Sequence, residues 1–413
     1  MNTNKKTPKL RFKGFADDWE QHKLSDILVE RNEQHVETSE YPLMSFVQGI
    51  GVTPKGERYD RSFLVLDQSK KYKRTELGDF IYSSNNLETG SIGINKTGKA
   101  VISPVYSIFY GVSIGDSEFI GIMSLLPGFI AKMIRFRQGV VYGQWRIHEK
   151  DFLNISVSIP SVDERTKITK LILSIEELIT LHQRKLEKLK LNKSALLQKL
   201  FPQYGCTIPE VRFKEFTGAW EQRKLSELAT MNARIGWQNL RTSEFLDSGD
   251  YLLITGTDFD NGRVKYSTCH YVEKKRFDQD TKIQLSTGSI LITKDGTLGK
   301  VALVEELPKP ATLNAGVFNV RVKDDAVLSY KYLYHYLKAP FLMKYVTANA
   351  TGGTIKHLNQ SILVDFPIPI TEKPEQDRIA KLLDSLESSI TLHQRKLDRL
   401  ISIKKALLQQ IFV

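Results

Sequence analysis

Two short glycine-containing segments come nearest to a catalytic motif in this sequence. Gly93-Ile-Asn-Lys-Thr-Gly-Lys-Ala100 nearly spells a phosphate-binding loop, but Ala100 stands where a Ser or Thr must hold Mg²⁺, and no helical pattern follows. Gly111-Val-Ser-Ile-Gly115 has the spacing of a nucleophile elbow, yet its surroundings do not predict a strand-turn-helix, so we expect a strand there. The sequence therefore predicts neither nucleotide hydrolysis nor acyl transfer at these segments.

Other catalytic patterns are missing from the sequence. It has no HExxH pair, no metal-ligand cluster, no Asn-Pro-Pro-aromatic signature or Gly-rich loop of an adenine methyltransferase, and no helicase motif. We expect no catalytic residue, metal site or bound cofactor in this chain. A nuclease or methyltransferase with unrecognised motifs is the alternative, and turnover by the purified chain with S-adenosylmethionine or Mg²⁺ would reveal it.

Basic and amide residues instead cluster with aromatic residues between the predicted strands. Arg, Asn and Gln side chains can pair with base edges, whereas Lys and glycine-loop amides suit phosphates. The candidate DNA contacts in the first half of the chain are Lys70, Lys71, Tyr72, Lys73, Arg74, Asn85, Asn86, Arg135, Arg137, Gln138, Tyr142, Gln144, Trp145 and Arg146. Those in the second half are Arg234, Trp237, Gln238, Asn239, Lys274, Lys275, Arg276, Asn349, Thr351, Lys356 and His357. A single such cluster is more typical of a solvated surface, but clusters before the closing strand of both halves favour binding at 135–146 and 349–357.

Charge and cysteine content narrow the class of protein. The 413 residues include 59 Lys and Arg against 47 Asp and Glu, a formal net charge of +12 that favours a polyanionic partner, although ordinary soluble proteins also reach this excess. Cys206 and Cys269 are the only cysteines, so a disulfide framework is excluded and a reducing cytoplasm is expected. Residues 1–8 are polar and no stretch approaches 18 apolar residues, so we expect neither export nor a membrane span.

Two repeated segments show that the chain contains two copies of one unit. Ile179–Leu186 (Ile-Thr-Leu-His-Gln-Arg-Lys-Leu) returns letter for letter at Ile390–Leu397, an offset of 393 − 182 = 211. Residues 11–20 return in similar form at 212–221, an offset of 220 − 19 = 201. The inserts between these segments share almost no sequence. A constant frame therefore carries two variable inserts, which suits a molecule that reads two different things at a fixed separation.

The repeated segments carry matched heptad seams. From Ile168 to Leu200, seam residues recur in strict alternation of four and three, and adding 211 gives a second seam from Ile379 to Ile411. Each helix could lie on the core of its own domain, but two matched seams in one chain favour mutual pairing. Each seam of about 33 residues would span roughly 50 Å, the length of a spacer.

Polar interruptions of the seams predict the orientation of the pair. His182 and Lys193 interrupt the first seam, and His393 and Lys404 interrupt the second. A parallel pair in equal register would stack Lys on Lys, which is costly in a seam. An antiparallel pair avoids this contact and places His182 beside Lys404 and Lys193 beside His393. We therefore predict an antiparallel coiled coil with pseudo-twofold symmetry.

The predicted fold class is α+β, with two mostly-β domains that are each followed by a long helix. Strands are predicted at 79–83, 100–103, 288–293 and 300–304. Tyr330–Leu337 has helical spacing, and its aromatic stripe is more typical of a domain core than of a base-stacking surface. The predicted segments are a domain at 1–160, a helix at 161–201, a linker at 202–208, a domain at 209–370 and a helix at 371–413.

The residues named above resemble those of a known family, the specificity subunits of type I restriction-modification systems (HsdS). The resemblance rests on residues 11–20 and 212–221, on Pro369 to Ala380, and on the duplicated Leu-His-Gln-Arg-Lys-Leu helices, and it covers essentially the whole chain. It implies two target-recognition domains that each read one half of a bipartite, asymmetric DNA site, with the paired helices fixing the gap. The first copy departs from the pattern, with Val162-Asp-Glu-Arg-Thr where the second has Glu375-Gln-Asp-Arg378, so the helix start there could differ slightly in geometry.

The resemblance also implies partner subunits. Two modification (methyltransferase) subunits would bring S-adenosylmethionine and methylate adenine, and restriction subunits would use ATP to translocate and cleave DNA. S-adenosylmethionine, Mg²⁺ and ATP are expected only on those partners, and no membrane partner is implied. Arg184, Lys185, Arg395 and Lys396 could dock partners or DNA, or could simply be solvated. The alternative function is a non-catalytic coiled-coil scaffold with two protein- or peptide-binding β domains, and steep salt dependence of DNA binding would exclude it.

Overall fold

The computed structural model describes residues 7–47, 50–54, 70–87, 91–139, 145–349 and 357–412. The chain divides into two compact units, the first made of residues 1–183 with 395–413 and the second of residues 184–394. Each unit therefore holds one variable insert, the beginning of the long helix that follows this insert, and the end of the other long helix.

The described residues of the first unit form short strands, three short α-helices, the start of the first long helix and the end of the last one. Its strands are β1 Glu20–Lys23, β2 Leu28–Glu30, β3 Gln34–His35, β4 Met44–Val47, β5 Gly51–Pro54, β6 Tyr72–Thr75, β7 Phe80–Tyr82, β8 Ile92–Ile94, β9 Ala100–Ile102, β10 Ser107–Gly111, β11 Gln138–Gly139, β12 Trp145–Arg146 and β13 Ser156–Ile159. Its helices are α1 Asp116–Met123, α2 Pro127–Ile134, α3 Glu149–Leu153 and the first part of α4, which spans Val162–Lys199.

The sheets of the first unit are small. Strands β2-β10-β7-β8 form the four-stranded sheet, β3-β6-β9 form a three-stranded sheet, and β1 pairs antiparallel with β13. An aromatic cluster of Phe80, Tyr82, Phe109 and Phe152 lies at the centre of the core. The start of α4 and the end of the last helix complete this core through Ile168, Ile172 and Ile411.

The second unit has the larger sheet. Its strands are β14 Glu221–Lys224, β15 Ala229–Ala233, β16 Tyr251–Ile254, β17 Phe259–Asp260, β18 Arg263–Val264, β19 His270–Val272, β20 Ile290–Thr293, β21 Val301–Leu303, β22 Ala311–Leu313, β23 Val317–Val322 and β24 Pro367–Ile370. Its helices are α5 Leu225–Leu228, α6 Lys274–Asp278, α7 Tyr330–Lys338, α8 Phe341–Asn349, α9 Gln360–Leu363, the end of α4, and the first part of α10, which spans Lys373–Ile411.

The topology of the second unit differs from that of the first. Six strands form the order β15-β23-β20-β21-β18-β17, and three more form β19-β16-β22, in which β16 and β22 run parallel. Helix α7 packs against the larger sheet and buries Tyr332, Leu333, Tyr334 and Leu337, so its aromatic residues belong to the core as the sequence predicted. The two inserts are therefore unlike in structure as well as in sequence.

The repeated frame, in contrast, is the same in both units. Arg11 forms two hydrogen bonds to the buried carboxylate of Glu164, at 2.9 and 2.7 Å, and Arg212 forms the same pair with Glu375, at 2.7 and 2.8 Å. The backbone amide of Leu10 donates to Gln410, and that of Val211 donates to Lys199. Strands β1 and β13 pair in the first unit as β14 and β24 pair in the second.

The two long helices are antiparallel, as predicted. In the first unit, Glu176 near the start of α4 lies 2.7 Å from Lys404 near the end of α10. In the second unit, Lys193 near the end of α4 lies 2.5 Å from Glu387 in the first half of α10. The two contacts are related by the repeat, since 176 + 211 = 387 and 193 + 211 = 404. The α+β fold class with two paired long helices is confirmed.

Each seam lysine thus binds a glutamate, a partner that the heptad pattern did not predict. The glutamates flank the seam, because Glu176 follows the seam residue Ile175 and Glu387 follows Leu386. A lysine side chain is long enough to leave the seam and place its ammonium group on a carboxylate at the flank. The predicted contacts of Lys404 with His182 and of Lys193 with His393 stay predictions.

Our expectation for Gly111–Gly115 is wrong. Strand β10 ends at Gly111, Gly115 adopts a φ of +88°, and α1 begins at Asp116, so this segment is a strand-turn-helix. The Asp116 carboxylate accepts a hydrogen bond from the Ser113 backbone amide and pairs with Arg165 at 2.7 Å. It therefore holds the turn and the start of α4 in place.

Candidate functional site

A short antiparallel ribbon carries the exposed basic and aromatic candidates of the first unit. Gln138 pairs with Arg146 and Gly139 pairs with Trp145 between β11 and β12. Asn85 accepts a hydrogen bond from the backbone amide of Trp145, at 2.7 Å, so its amide group fixes the base of the ribbon. We call Arg135, Arg137, Gln138, Trp145 and Arg146 the ribbon surface.

The side chains of the ribbon surface are at least partly exposed. The indole of Trp145 is half exposed, and the guanidinium of Arg137 lies 5.6 Å from its ring centroid. Arg146 is more than half exposed and lies 3.8 Å from Glu149. A flat ring beside arginines is the combination that stacks on bases and pairs with phosphates.

Acidic residues at the base of the ribbon orient its polar side chains. The Gln138 amide donates to Asp151 at 3.2 Å. Burial raises the pKa of Glu149, but its own backbone N–H, the Ser107 hydroxyl and the charges of Lys73 and Arg146 outweigh burial and lower this pKa below its ordinary value. Glu149 is therefore an anion that holds Arg146 by charge at neutral pH.

The cluster at Lys70–Arg74 is mostly structural. Tyr72 and Lys73 are buried on β6, and Lys73 lies 4.0 Å from Glu149. Arg74 binds Glu33 at 2.5 Å and also Glu76, and its guanidinium stacks on Tyr41. Lys70 and Lys71 are exposed, so they are the members of this cluster that can reach a ligand.

The second unit presents a loop at the position that corresponds to the base of the ribbon. In the first unit, the backbone amide of Ile147 donates to the hydroxyl of Ser84, just after β7. In the second unit, the equivalent amide of Leu358 (147 + 211 = 358) donates to the carbonyl of Lys294, just after β20. His357, the counterpart of Arg146 (146 + 211 = 357), is exposed and lies 2.6 Å from Asp295. We call Lys294–Lys300 with His357 the loop surface.

The loop surface was missed by the sequence analysis, apart from His357. Gly296 and Gly299 have positive φ angles of 70° and 69°, and the Thr293 hydroxyl binds the carbonyl of Thr297 and the amide of Lys300. This compact turn presents the exposed Lys300 beside the half-buried Lys294. The signal was available, because Lys294-Asp-Gly-Thr lies between two predicted strands and is typical of a turn.

The other candidates of the second unit differ in exposure. Arg234 is only 2% exposed, and burial lowers its pKa. Its guanidinium donates to the Leu313 carbonyl and the Thr312 hydroxyl, so it supports β22 in this structure. Gln238 is also buried, and Arg276 binds Glu244 at 2.6 Å. The exposed candidates are Asn239, Lys274, Lys275 and Asn349. Tyr142, Gln144, Thr351 and Lys356 lie outside the described residues, as do the side chains of Asn86 and Trp237.

The described residues contain no group of three or more His, Cys, Asp or Glu side chains that could hold a metal ion. Within the same ranges, no single helix is long and apolar enough to cross a membrane, and the helices α1 and α2, bent by 94°, pass that test only as a pair. Phe119, Ile120 and Ile122 of α1 belong to the core of the first unit.

Comparisons with known proteins agree with this architecture. The family model "Type I restriction modification DNA specificity domain" matches residues 218–401. The type I restriction enzyme MjaVIII specificity subunit of Methanocaldococcus jannaschii is 21% identical over 270 residues, which are 63% of this chain and 62% of that relative. The MjaX specificity subunit of the same organism, described as putative, is 21% identical over 95% of this chain and 92% of its own length.

A solved structure shares the fold over the full length. The S subunit of a type I restriction-modification system from M. genitalium superposes with a TM-score of 0.63, and the match covers 98% of this chain and 99% of that chain at 14% identity. The duplicated frame, the paired helices and these matches agree with one another. Residues 218–401 thus match the type I restriction modification DNA specificity domain, and the chain as a whole shares the fold of a solved type I S subunit.

Proposed function

We propose that this chain is the DNA-recognition subunit of a type I restriction-modification complex, with each unit reading one half of a bipartite, asymmetric site. The observation that carries the proposal is one frame with two unlike inserts. Arg11–Glu164 and Arg212–Glu375 repeat the same geometry, whereas the sheets between them differ in strand number and order. Two different readers on one repeated support suit a target with two different halves.

The ribbon surface and the loop surface are the proposed contacts with DNA. The loop surface follows β20, a central strand of the second unit, and the ribbon surface is bonded at its base to Asn85, which lies just after β7 of the first unit. Both surfaces combine cationic side chains with groups that can bond to base edges. The ribbon surface adds a half-exposed indole. The formal net charge of +12 adds long-range attraction to the phosphate backbone.

Partner subunits are proposed to supply the chemistry. Two modification subunits would bring S-adenosylmethionine and methylate adenine, and restriction subunits would use ATP and Mg²⁺ to cleave DNA. The chain itself would then be non-catalytic and would work in the reducing cytoplasm, where the unpaired Cys206 and Cys269 would stay reduced. Incubation of the purified chain with labelled S-adenosylmethionine, or with Mg²⁺ and DNA, should give no turnover.

Mapping adenine methylation tests the proposal. The assembled complex should methylate DNA at sites with two defined halves separated by a constant gap. Replacing the insert between β1 and β13 with that of another specificity subunit should change one half and leave the other intact. Replacing the insert between β14 and β24 is the matched control and should change only the second half. If either exchange changes both halves, the modular proposal is wrong.

A scaffold that binds proteins or peptides is not favoured, because the matched family model describes a DNA specificity domain. Binding to random duplex DNA separates the two functions. Phosphate contacts release counterions, so affinity should fall steeply as salt rises. A scaffold would show weak binding with little dependence on salt.

A further inference from the structure

Each unit contains a mostly buried glutamate on a long helix, and this glutamate binds two lysines. Glu176 binds Lys404 at 2.7 Å and also Lys96, and Glu387 binds Lys193 at 2.5 Å and Lys338 at 2.6 Å. The two glutamates are related by the repeat, because 176 + 211 = 387. We call them the seam glutamates.

The two lysines on each seam glutamate come from different parts of the chain. Lys404 and Lys193 lie on the other long helix and are related to each other by the repeat. Lys96 follows β8 of the first insert, and Lys338 ends α7 of the second insert. Two unrelated inserts therefore place an ammonium group on the same position of the repeated frame.

The contacts are strong because the carboxylates are shielded from water. The side chains of Glu176 and Glu387 are 16% and 12% exposed. A mostly buried carboxylate that accepts hydrogen bonds from two ammonium groups is held from two sides, and losing one of them leaves a single contact. Burial raises the pKa of Glu387, but the charges of Lys338 and Lys193 outweigh it and lower this pKa to about 2.

The second unit has an additional anchor that the first unit lacks at the equivalent position. Asp384 on α10 binds Lys331 at 2.9 Å and the fully buried His335 at 2.8 Å, both on α7. The equivalent position in α4 is Leu173 (384 − 211 = 173), a partly buried apolar residue. In the first unit, Lys96 is also 48% exposed, so its contact with Glu176 is more open to solvent.

We propose that Glu176 and Glu387 are positioning residues that fix the orientation of each recognition domain on its helices and thereby set the DNA gap that the protein accepts. The inference rests on the proposed function. One base pair more or less in the gap shifts a half-site by about 3.4 Å and rotates it by about 35°. A domain that is held by charge on its helix rejects such a shift, whereas a loosened domain follows it.

The Lys96→Gln variant tests the inference because it removes the domain lysine and keeps the Glu176–Lys404 contact. Lys99→Gln is the matched control, since Lys99 lies three residues away, is 51% exposed and binds Glu40 within the same insert. Each variant is assembled with methyltransferase subunits and given DNA whose two half-sites are separated by gaps of different length. The measured quantity is the ratio of methylation at the preferred gap to methylation at gaps one base pair longer or shorter.

We expect Lys96→Gln to reduce this ratio roughly threefold, the effect of one partly exposed ion pair. Methylation at the preferred gap, and the sequences of both half-sites, should stay close to those of the wild type. Lys99→Gln should keep the wild-type ratio, and Lys96→Arg should restore it because a cation is retained. Lys338→Gln should change the ratio less, since Asp384 still anchors α7.

Three results separate failure of the inference from failure of the proposed function. If the wild-type complex prefers one gap and Lys96→Gln keeps the same ratio as Lys99→Gln, the inference is overturned and the proposed function stands. If Lys96→Arg also reduces the ratio of methylation at the preferred gap to methylation at the neighbouring gaps, the charge of Lys96 is not what positions the domain. If the wild-type complex methylates no bipartite site at any gap, the proposed function itself fails.

Discussion

Replacing Arg212 with Met should destabilise the second unit by several kilocalories per mole. The guanidinium of Arg212 donates two hydrogen bonds to Glu375, whose side chain is 0% exposed, and a third at 2.5 Å to the Gly218 carbonyl. Without the guanidinium, the Glu375 carboxylate keeps a hydrogen bond from the Thr371 hydroxyl but loses its cation. Breaking a buried ion pair from one side costs about 3–5 kcal/mol.

The destabilisation should therefore be about 3 kcal/mol or more at pH 7. For a unit of this size, the pH 7 loss corresponds to a fall in Tm of about 6–12 °C.

Urea unfolding of the full chain at pH 7 measures the loss, and hydrogen exchange locates it at β14 and β24. Arg11→Met should cause a matching loss in the first unit, because Arg11 binds Glu164 in the same geometry. Arg223→Met is the control, since its ion pair with Glu227 is exposed and contributes less than about 1 kcal/mol. A loss below about 1 kcal/mol for Arg212→Met at pH 7 would refute the reasoning.

Three further predictions concern DNA binding and acid stability. Arg146→Ala and Arg137→Ala should each weaken methylation at the first half-site by about tenfold and leave the sequence read at the second half-site unchanged, as methylation of DNA with one altered half-site would show. Binding to random duplex DNA is measured by titration at several salt concentrations. Each substitution should lower the slope of log affinity against log salt by about 1 if the lost guanidinium contacts a phosphate. The slope should stay unchanged if the guanidinium contacts a base. Burial raises the pKa of Asp384 and of Glu387, but their cationic neighbours outweigh burial and lower both pKa values to about 2. The stability that these carboxylates contribute is therefore present above about pH 4.5 and is lost as the pH falls toward 2. Melting curves over this range should show that the second unit loses more stability in the wild type than in the Glu387→Gln variant.

The long helices and their orientation could be predicted because their signal is periodic and local. Heptad spacing identifies a helix within one segment, and the like-charge clash of two seam lysines excludes a parallel pair. The lysine partners could not be predicted in this way. The heptad pattern assigns Lys193 and Lys404 to the seam, whereas their long side chains place the ammonium groups on Glu387 and Glu176 at its flank.

The individual strands of the inserts could be predicted, but their pairing into sheets could not. The segments around β7, β9, β20 and β21 have clear apolar runs, but their pairing joins residues that are distant in sequence. Parallel pairing of β16 with β22 has no local signal. The strand-turn-helix around Ser113 had one in the spacing of Gly111 and Gly115, but the surrounding residues did not reinforce it. Burial of single residues has the same limit, because Arg234 becomes structural only when the separate segment at Thr312 and Leu313 folds beside it.

The end of α10 belongs to the core of the first unit, and this has a consequence for synthesis in the cell. Ile411, with Leu407 and Phe412 beside it, packs in the same cluster as Trp19 and Phe119. On the ribosome, residues 184–394 must emerge before this cluster can close. At about 5–20 residues per second, the first unit waits on the order of 10–40 s with apolar surface uncovered. Nascent chains of this protein should therefore depend on chaperones during that interval, and early termination should yield a first unit that aggregates.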